Sequence, residues 1–297
     1  MKSSIIICSI VRNAEKGLRR NIPVIECLCN SFNGYKVFVY ENDSADRTKE
    51  VLRAWQERDP EHVFVSLNNT DAGKTIPSAK EAGNVNPFYS KRRISKMVAL
   101  RNHYLEYIEV HRWSADYLMV VDLDVAQLNL DGILSSFKSN REWDAVAAYG
   151  YSLSPKLRRR YHDTYALTEY GDEVNPQTEQ KIKELADSYA IIGDTKEWKR
   201  VYAAFGGLAI YRFEAVKGLR YQLQNNDDER VEVKCEHYSI YKQMADRGFD
   251  KVYINPEMKL KYQSLSMKII IGHILRQWDK HVVRQIEITP PGCPKTE

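Results

Sequence analysis

The sequence predicts an α/β fold, a mostly parallel central sheet with helices on both faces. Three observations carry this. Strand-like and helix-like segments alternate through the first 125 residues. Tyr117-Leu118-Met119-Val120-Val121 is an unbroken apolar run, as strands buried on both faces are. It ends in Asp122-Leu123-Asp124, two carboxylates that point the same way if the chain there is extended. Open α/β sheets hold ligands at that carboxyl edge. Like charges so close repel unless something positive joins them. A divalent cation bridging to a phosphorylated ligand is therefore expected there. The plainer reading is a strand end with two solvated aspartates.

The elements follow in order. Residues 4–11 form the first strand and end in Arg12-Asn13. Residues 14–28 have helical spacing, with Leu18, Ile22, Ile25 and Leu28 in one stripe broken by Pro23. Residues 35–40 are the second strand, and Glu41-Asn42-Asp43-Ser44 follows it. Asp43 or Ser44 can cap the next helix, 48–56, and Asp46 suits its positive end. Residues 62–67 are the third strand. The polar stretch 68–89 is long enough to be functional or disordered. Residues 90–110 form a long helix that begins basic, with Lys91, Arg92, Arg93 and Lys96. The fourth strand is the aspartate-bearing run. Beyond it come a short helix at 130–137, a strand at 145–149 and a loop rich in Tyr and Arg at 152–172. Next are a charged helix at 178–189, the segment 201–211 with its Gly206-Gly207 pair, and a helix opened by Cys235-Glu236-His237. A short strand at 252–254 and a terminal helix at 266–283, apolar on one side and basic on the other, complete the chain.

Composition narrows the function. With 297 residues, 43% apolar and 28% charged, the chain suits one soluble globular domain with a full core. A net charge of +4 is too weak to argue for nucleic acid, but it suits an anionic ligand such as a nucleotide sugar. Five cysteines without metal-ligand or redox spacing fit reduced thiols, and so a cytoplasmic setting. The apolar run after Met1-Lys2 is short and is interrupted by Arg12, so it reads as a strand rather than a signal peptide. No run approaches the ~20 apolar residues that span a bilayer. The terminal basic helix either docks on an anionic membrane surface, making the protein peripheral, or packs on the domain.

The order of motifs resembles GT-A (Rossmann-like) glycosyltransferases. The resemblance rests on Glu41-Asn42-Asp43-Ser44-Ala45-Asp46-Arg47-Thr48, then Leu100-Arg101-Asn102, Asp122-x-Asp124, Phe205-Gly206-Gly207 and Cys235-Glu236-His237. It is nearest to the fungal capsule-associated mannosyltransferases and related bacterial capsular enzymes, over about residues 5–262. It implies one domain, with a nucleotide-binding half at 1–125, an acceptor-binding half at 126–262 and a C-terminal helix and tail at 263–297. It also implies a UDP- or GDP-sugar donor, Mn²⁺ or Mg²⁺, and a glycan or lipid-linked acceptor, in capsule or cell-surface polysaccharide synthesis.

Residue roles follow from the chemistry and the resemblance together. Glycosyl transfer expels a nucleoside diphosphate, and cations neutralise the charge that develops on it. Asp122 and Asp124 are hard oxygen ligands for such a cation, and the resemblance implies that Asp124, a catalytic residue, binds it directly while Asp122 binds the ribose or the metal. Arg101, with Arg93 and Lys96, would reach the diphosphate. Arg12 and Asn13 lie on the same sheet edge, and Glu41 or Asn42 would contact the base. Gly206 and Gly207 would let backbone approach the sugar. Glu236 is the expected base for the acceptor hydroxyl, with His237 as the alternative. His273 is either a late third metal ligand, as the resemblance suggests, or simply packed. Tyr161-His162-Asp163-Thr164-Tyr165 is expected to face the acceptor, with Arg158, Arg159 and Arg160 either beside an anionic acceptor or in a solvated turn.

Three other functions share some of these features. A sugar nucleotidylyltransferase would need a glycine-rich loop bearing Arg and Lys after the first strand, and Val11-Arg12-Asn13-Ala14-Glu15 is not that. A haloacid dehalogenase-type phosphatase also has a strand ending in two such aspartates, but its later acidic pair should follow an apolar strand, and Asp227-Asp228 follows Asn225-Asn226. A non-catalytic sugar-binding module would not need Asp122, Asp124 and Glu236.

Overall fold

A computed structural model describes residues 1–69, 76–154 and 158–263. In chain order the first half runs β1 (Ser4–Val11), α1 (Glu15–Cys29), β2 (Gly34–Asn42), α2 (Thr48–Arg58), β3 (Val63–Asn68), a single-turn α3 (Ala79–Ala82), α4 (Lys91–Val110) and β4 (Tyr117–Val121). The second half runs α5 (Leu130–Lys138), β5 (Ala145–Leu153), β6 (Arg159–Tyr161), α6 (Glu179–Ser188), β7 (Lys199–Arg200), β8 (Leu208–Arg212), α7 (Phe213–Val216), α8 (Glu236–Asp246) and β9 (Val252–Lys261).

All these strands join one sheet in the order β3-β2-β1-β4-β8-β5-β9-β7, with β6 paired to β5. β1 to β4 lie parallel to one another; β8 enters antiparallel between β4 and β5, and β9 pairs parallel with β5. The sheet is thus mixed, with most of its strands pointing one way. Side-chain alternation sorts the core into two layers. Ile5 and Ile7 pack with Leu18, Ile22 and Ile25 of α1, Leu52 and Trp55 of α2, and Ile133 of α5. Ile6 and Cys8 face the other way, toward Tyr104, Leu105 and Ile108 of α4 and Tyr241 and Met244 of α8. Helices therefore cover both faces.

Several boundaries differ from the sequence reading. α1 continues through Pro23, because its buried stripe of Leu18, Ile22, Ile25 and Leu28 outweighs one missing backbone hydrogen bond. Within the 152–172 loop, β6 pairs antiparallel with β5, registering Tyr151 against Tyr161. β9 extends to Lys261, with a register shift opposite Ala148 and Tyr149 that lets it keep pairing. Of the segment 201–211, only its last part is strand, as the start of β8. The expected helix at 266–283 and His273 lie outside the described residues. Among the described residues no helix is long and apolar enough to cross a membrane. Cys8, Cys27, Cys29 and Cys235 are free thiols.

Chain order reverses at β1, with β2 on one side and β4 on the other. The carboxyl ends of β1 and β4 therefore flank the topological switch point, where a ligand crevice is expected.

Candidate active site

A cavity of about 260 Å³ opens at that switch point, and Arg12, Asn42, Arg101, Asp122, Asp124 and Glu236 are among its lining residues. β4 ends at Val121, so the two aspartates sit in a turn rather than on an extended strand, yet both still reach the cavity. The turn is held from below. Asn21 Nδ2 donates to the carbonyls of Leu123 and Val125 at 3.0 and 2.9 Å. Gly17 leaves room for it, since a Cβ there would stand 2.5 Å from the Asp124 Cα. From above, the Asp122 amide donates to the Gly207 carbonyl at 2.8 Å.

Arg101 of α4 is the centre of charge. Its Nε donates to Glu236 Oε1 at 2.8 Å, and its Nη2 lies 3.8 Å from Asp122 Oδ1. The guanidinium sits 4.9 Å from the centre of the Phe205 ring. Its Nη1 is buried without a hydrogen-bond partner, as few buried donors are. Burial alone would raise Glu236, but the Arg101 guanidinium more than offsets this and holds the carboxyl down at about 2. So paired, Glu236 is a poor acceptor for a proton. Its neighbour His237 is buried and stacked on Phe205 at 3.9 Å, and both its ring nitrogens lack hydrogen-bond partners. Burial, aided by Arg101, pushes that imidazole well below the ordinary range, so it is neutral.

The aspartates behave oppositely to Glu236. Burial pushes Asp122 up to about 7, with Arg101 opposing and Asp124 adding to the rise. Asp124 is raised by burial as well. The Tyr262 hydroxyl donates to Asp122 Oδ2 at 3.2 Å, and the His162 ring stacks on Tyr262 at 3.6 Å. Asp163 also lines the cavity, raised to about 8 by burial and then by the charges of Asp122 and Glu236.

Among the described residues no three His, Cys, Asp or Glu side chains are arranged to hold a metal by themselves. The donor set nevertheless fits a cation held by two carboxylates that completes its shell with water and phosphate oxygens, as Mg²⁺ commonly does. Such a cation would also relieve the like-charge repulsion that raises Asp122.

Other expected residues take supporting positions. Arg12 lines the cavity, but Asn13 does not. Asn13 has φ 52°, its amide donates to Ser44 Oγ at 2.9 Å, and its Oδ1 accepts from the Ala45 amide at 2.8 Å. It therefore clips the end of β1 to the acidic turn. Glu41 is fully buried and accepts from the Ser44 amide, with Lys49 Nζ 3.7 Å from its other oxygen. It organises the turn from beneath, while Asn42 faces the cavity. Asp46, rather than Asp43 or Ser44, serves the helix starts, accepting from the Thr48 and Glu15 amides at 3.0 and 3.1 Å. Gly206 and Gly207 do not line the cavity. A Cβ on Gly206 would stand 2.3 Å from the Ala148 carbonyl oxygen, so Gly206 serves close packing on β5, and one on Gly207 would stand 3.1 and 3.2 Å from the Leu260 and Tyr262 side chains. Asn102 fastens the chain at Tyr221, donating to its carbonyl at 3.0 Å and accepting from its amide at 2.8 Å. Asp228 accepts from the Arg230 and Val231 amides in a turn away from the cavity, which removes the second acidic pair a phosphatase would need.

Sequence reading did not single out Asn21, Gly17 or Tyr262. Asn21 had a signal, a polar residue inside the apolar stripe of α1. Gly17 and Tyr262 had none.

A two-faced α/β sheet with an acidic turn and a buried arginine at its switch point has the layout of a glycosyltransferase. A family model described as Cryptococcal mannosyltransferase 1 matches residues 4–242, and the chain belongs to that family. No curated protein sequence matches at a significant level. Among solved structures, similarity extends to a mannosyltransferase from Pyrobaculum calidifontis in complex with GDP-Man and Mn²⁺. That pair shares 14% identity, with 98% of this chain and 66% of that chain covered and a TM-score of 0.49. TarS 1-349 from S. aureus shares 13% identity, over 89% of this chain and 60% of that one, with a TM-score of 0.44. Glucosyl-3-phosphoglycerate synthase from Mycobacterium tuberculosis, in complex with phosphoglyceric acid, shares 11% identity over 98% and 82%, with a TM-score of 0.43. This chain spans less than two thirds of the length of the first two.

Proposed function

We propose that the protein transfers a sugar from a nucleoside diphosphate donor to a glycan or lipid-linked acceptor in capsule or cell-surface polysaccharide synthesis. Mannose is the first donor sugar to test, on the family description. The supporting observation is Arg101, ion-paired to Glu236 and close to Asp122 in the wall of one cavity, with one buried donor unpartnered. In transfer, the bond from the anomeric carbon to the diphosphate oxygen breaks and its electron pair leaves with the nucleoside diphosphate. The acceptor oxygen forms the new bond and gives up its proton.

Asp122 and Asp124 would hold Mn²⁺ or Mg²⁺, which supplies charge neutralisation to the diphosphate. Arg101 lends a fixed positive charge beside that position, in surroundings where water does not screen it. Glu236 keeps Arg101 in place. We read it as this anchor rather than as the base, because a carboxylate held at about 2 takes a proton poorly. Arg12 and Asn42 line the rest of the donor side, and Asn42 carries the amide groups that can read a base or ribose.

Thermal shift with GDP and UDP, each with and without Mn²⁺, tests this reading. One nucleotide should raise the midpoint only when the metal is present. No shift with either nucleotide and metal would overturn it.

A further inference from the structure

A second groove, of about 360 Å³, adjoins the main cavity. Arg93, Asp163 and Tyr165 line both. We propose that this groove holds the terminal sugar of an acceptor glycan, and that Asp163, standing where the groove meets the cavity, receives the hydrogen bond of the hydroxyl to be glycosylated. This rests on the donor occupying the main cavity.

Three features support the assignment. The first is position: Asp163 is the carboxylate shared by both spaces, so a group bound in the groove meets there whatever sits against Asp122 and Asp124. The second is the backbone. Asp163 has φ 67°, a left-handed conformation that non-glycine residues adopt at a cost and that concentrates at functional positions. The turn is fastened by the Ala166 amide donating to the Asp163 carbonyl at 3.1 Å. The carboxylate itself makes no hydrogen bond or ion pair among the described residues, although it lies near Arg93 and Arg101.

The third is the chemistry of the groove wall. Phe88 is 55% exposed, a large aromatic face presented to solvent at the groove. Aromatic faces bind the apolar C–H face of a sugar ring while its hydroxyls reach polar groups at the edge. Arg93 stands beside it, one guanidinium nitrogen donating to the Phe88 carbonyl at 2.9 Å. Arg160 and Thr164 add donors along the wall, though Arg160 also pairs with Asp187 at 2.9 Å. An aromatic platform ringed by hydroxyl-binding groups, with a carboxylate at its inner end, matches a saccharide better than a nucleotide or a lipid chain.

The test uses the full chain loaded with Mn²⁺ and the nucleoside diphosphate that stabilises it, applied to an immobilised glycan array. Wild type should retain a subset of glycans. Asp163→Gly, which removes the carboxyl group altogether, should lower that retention at least tenfold while the protein still binds the nucleotide. Glycine adopts the left-handed backbone freely, so the fold should persist. Phe88→Ala, on the groove alone, should lower glycan retention with nucleotide affinity unchanged. If Asp163→Gly binds the nucleotide and retains the same glycans as wild type, or wild type binds nucleotide and retains no glycan, the assignment of the groove is overturned. If wild type binds no nucleotide with metal, the donor reading fails instead.

Discussion

Arg101 Nε and Glu236 Oε1 lie 2.8 Å apart, each side chain 5% exposed, although 135 residues of chain separate them. The pair joins α4 to the start of α8 on the wall of the cavity. A buried pair of this kind contributes little net stability when intact, but breaking it strands a charge.

Arg101→Ala should therefore destabilise the protein by ~3–5 kcal/mol, read from denaturant unfolding, because Glu236 would be left buried without its partner. Adding Glu236→Gln to that variant should recover part of the loss. Equal destabilisation in the single and double variants would mean the pair is not coupled.

Asp124→Ala should leave the metal-free protein about as stable as wild type, since the side chain makes no ion pair among the described residues that the change would break. It should abolish the metal-dependent stabilisation by nucleotide and the transfer activity. A variant that still shows the full metal-dependent shift would remove Asp124 from the metal site.

Stability should depend on pH in two opposite ways. Glu236 is held at about 2, below its ordinary 4.5, so the unfolded chain binds more protons between these values. Its contribution is complete above about pH 4.5 and is lost as pH falls toward 2. Asp163 is raised from 3.8 to about 8, so the native state binds more protons across that range. The stability it gains from staying protonated is complete below about pH 3.8 and is lost as pH rises through 8. Asp122, raised to about 7, acts in the same direction. The metal-free melting temperature should fall between pH 5 and 8.5, and Asp163→Asn, which imitates the protonated form, should flatten that fall. A variant curve as steep as wild type would assign the slope to other groups.

Gly206→Ala should destabilise by more than ~1 kcal/mol, since its φ is 62° and a Cβ would meet the Ala148 carbonyl oxygen at 2.3 Å. Because Gly206 does not line the cavity, nucleotide affinity of the folded fraction should be unchanged. A loss of nucleotide affinity without a loss of stability would return the glycine pair to the ligand site.

Much of the fold was legible because it is written in local periodicity. The apolar runs of β1 and β4, the stripe of α1 and the polar turn after β2 each identify themselves within ten to fifteen residues. β6, the full length of β9 and the placement of β8 between β4 and β5 were not, because pairing partners and register depend on distant chain. In the site, Asp122 and Asp124 could be read from their place at the end of a central strand. That Glu41 and Asn13 turn inward to build the acidic turn could not, since their residue types suit ligand contact equally well.

By itself the sequence determined the layers of this protein, the edge of the sheet that carries the acidic turn, and the residue types gathered there, because these follow from side-chain period and strand length. Only the tertiary structure decided that Arg101 is spent between Glu236 and Asp122, and that Asp163 opens onto two cavities at once. Ion pairs and shared walls are set by which distant segments the packed sheet brings within a few ångströms, and no local pattern encodes that distance.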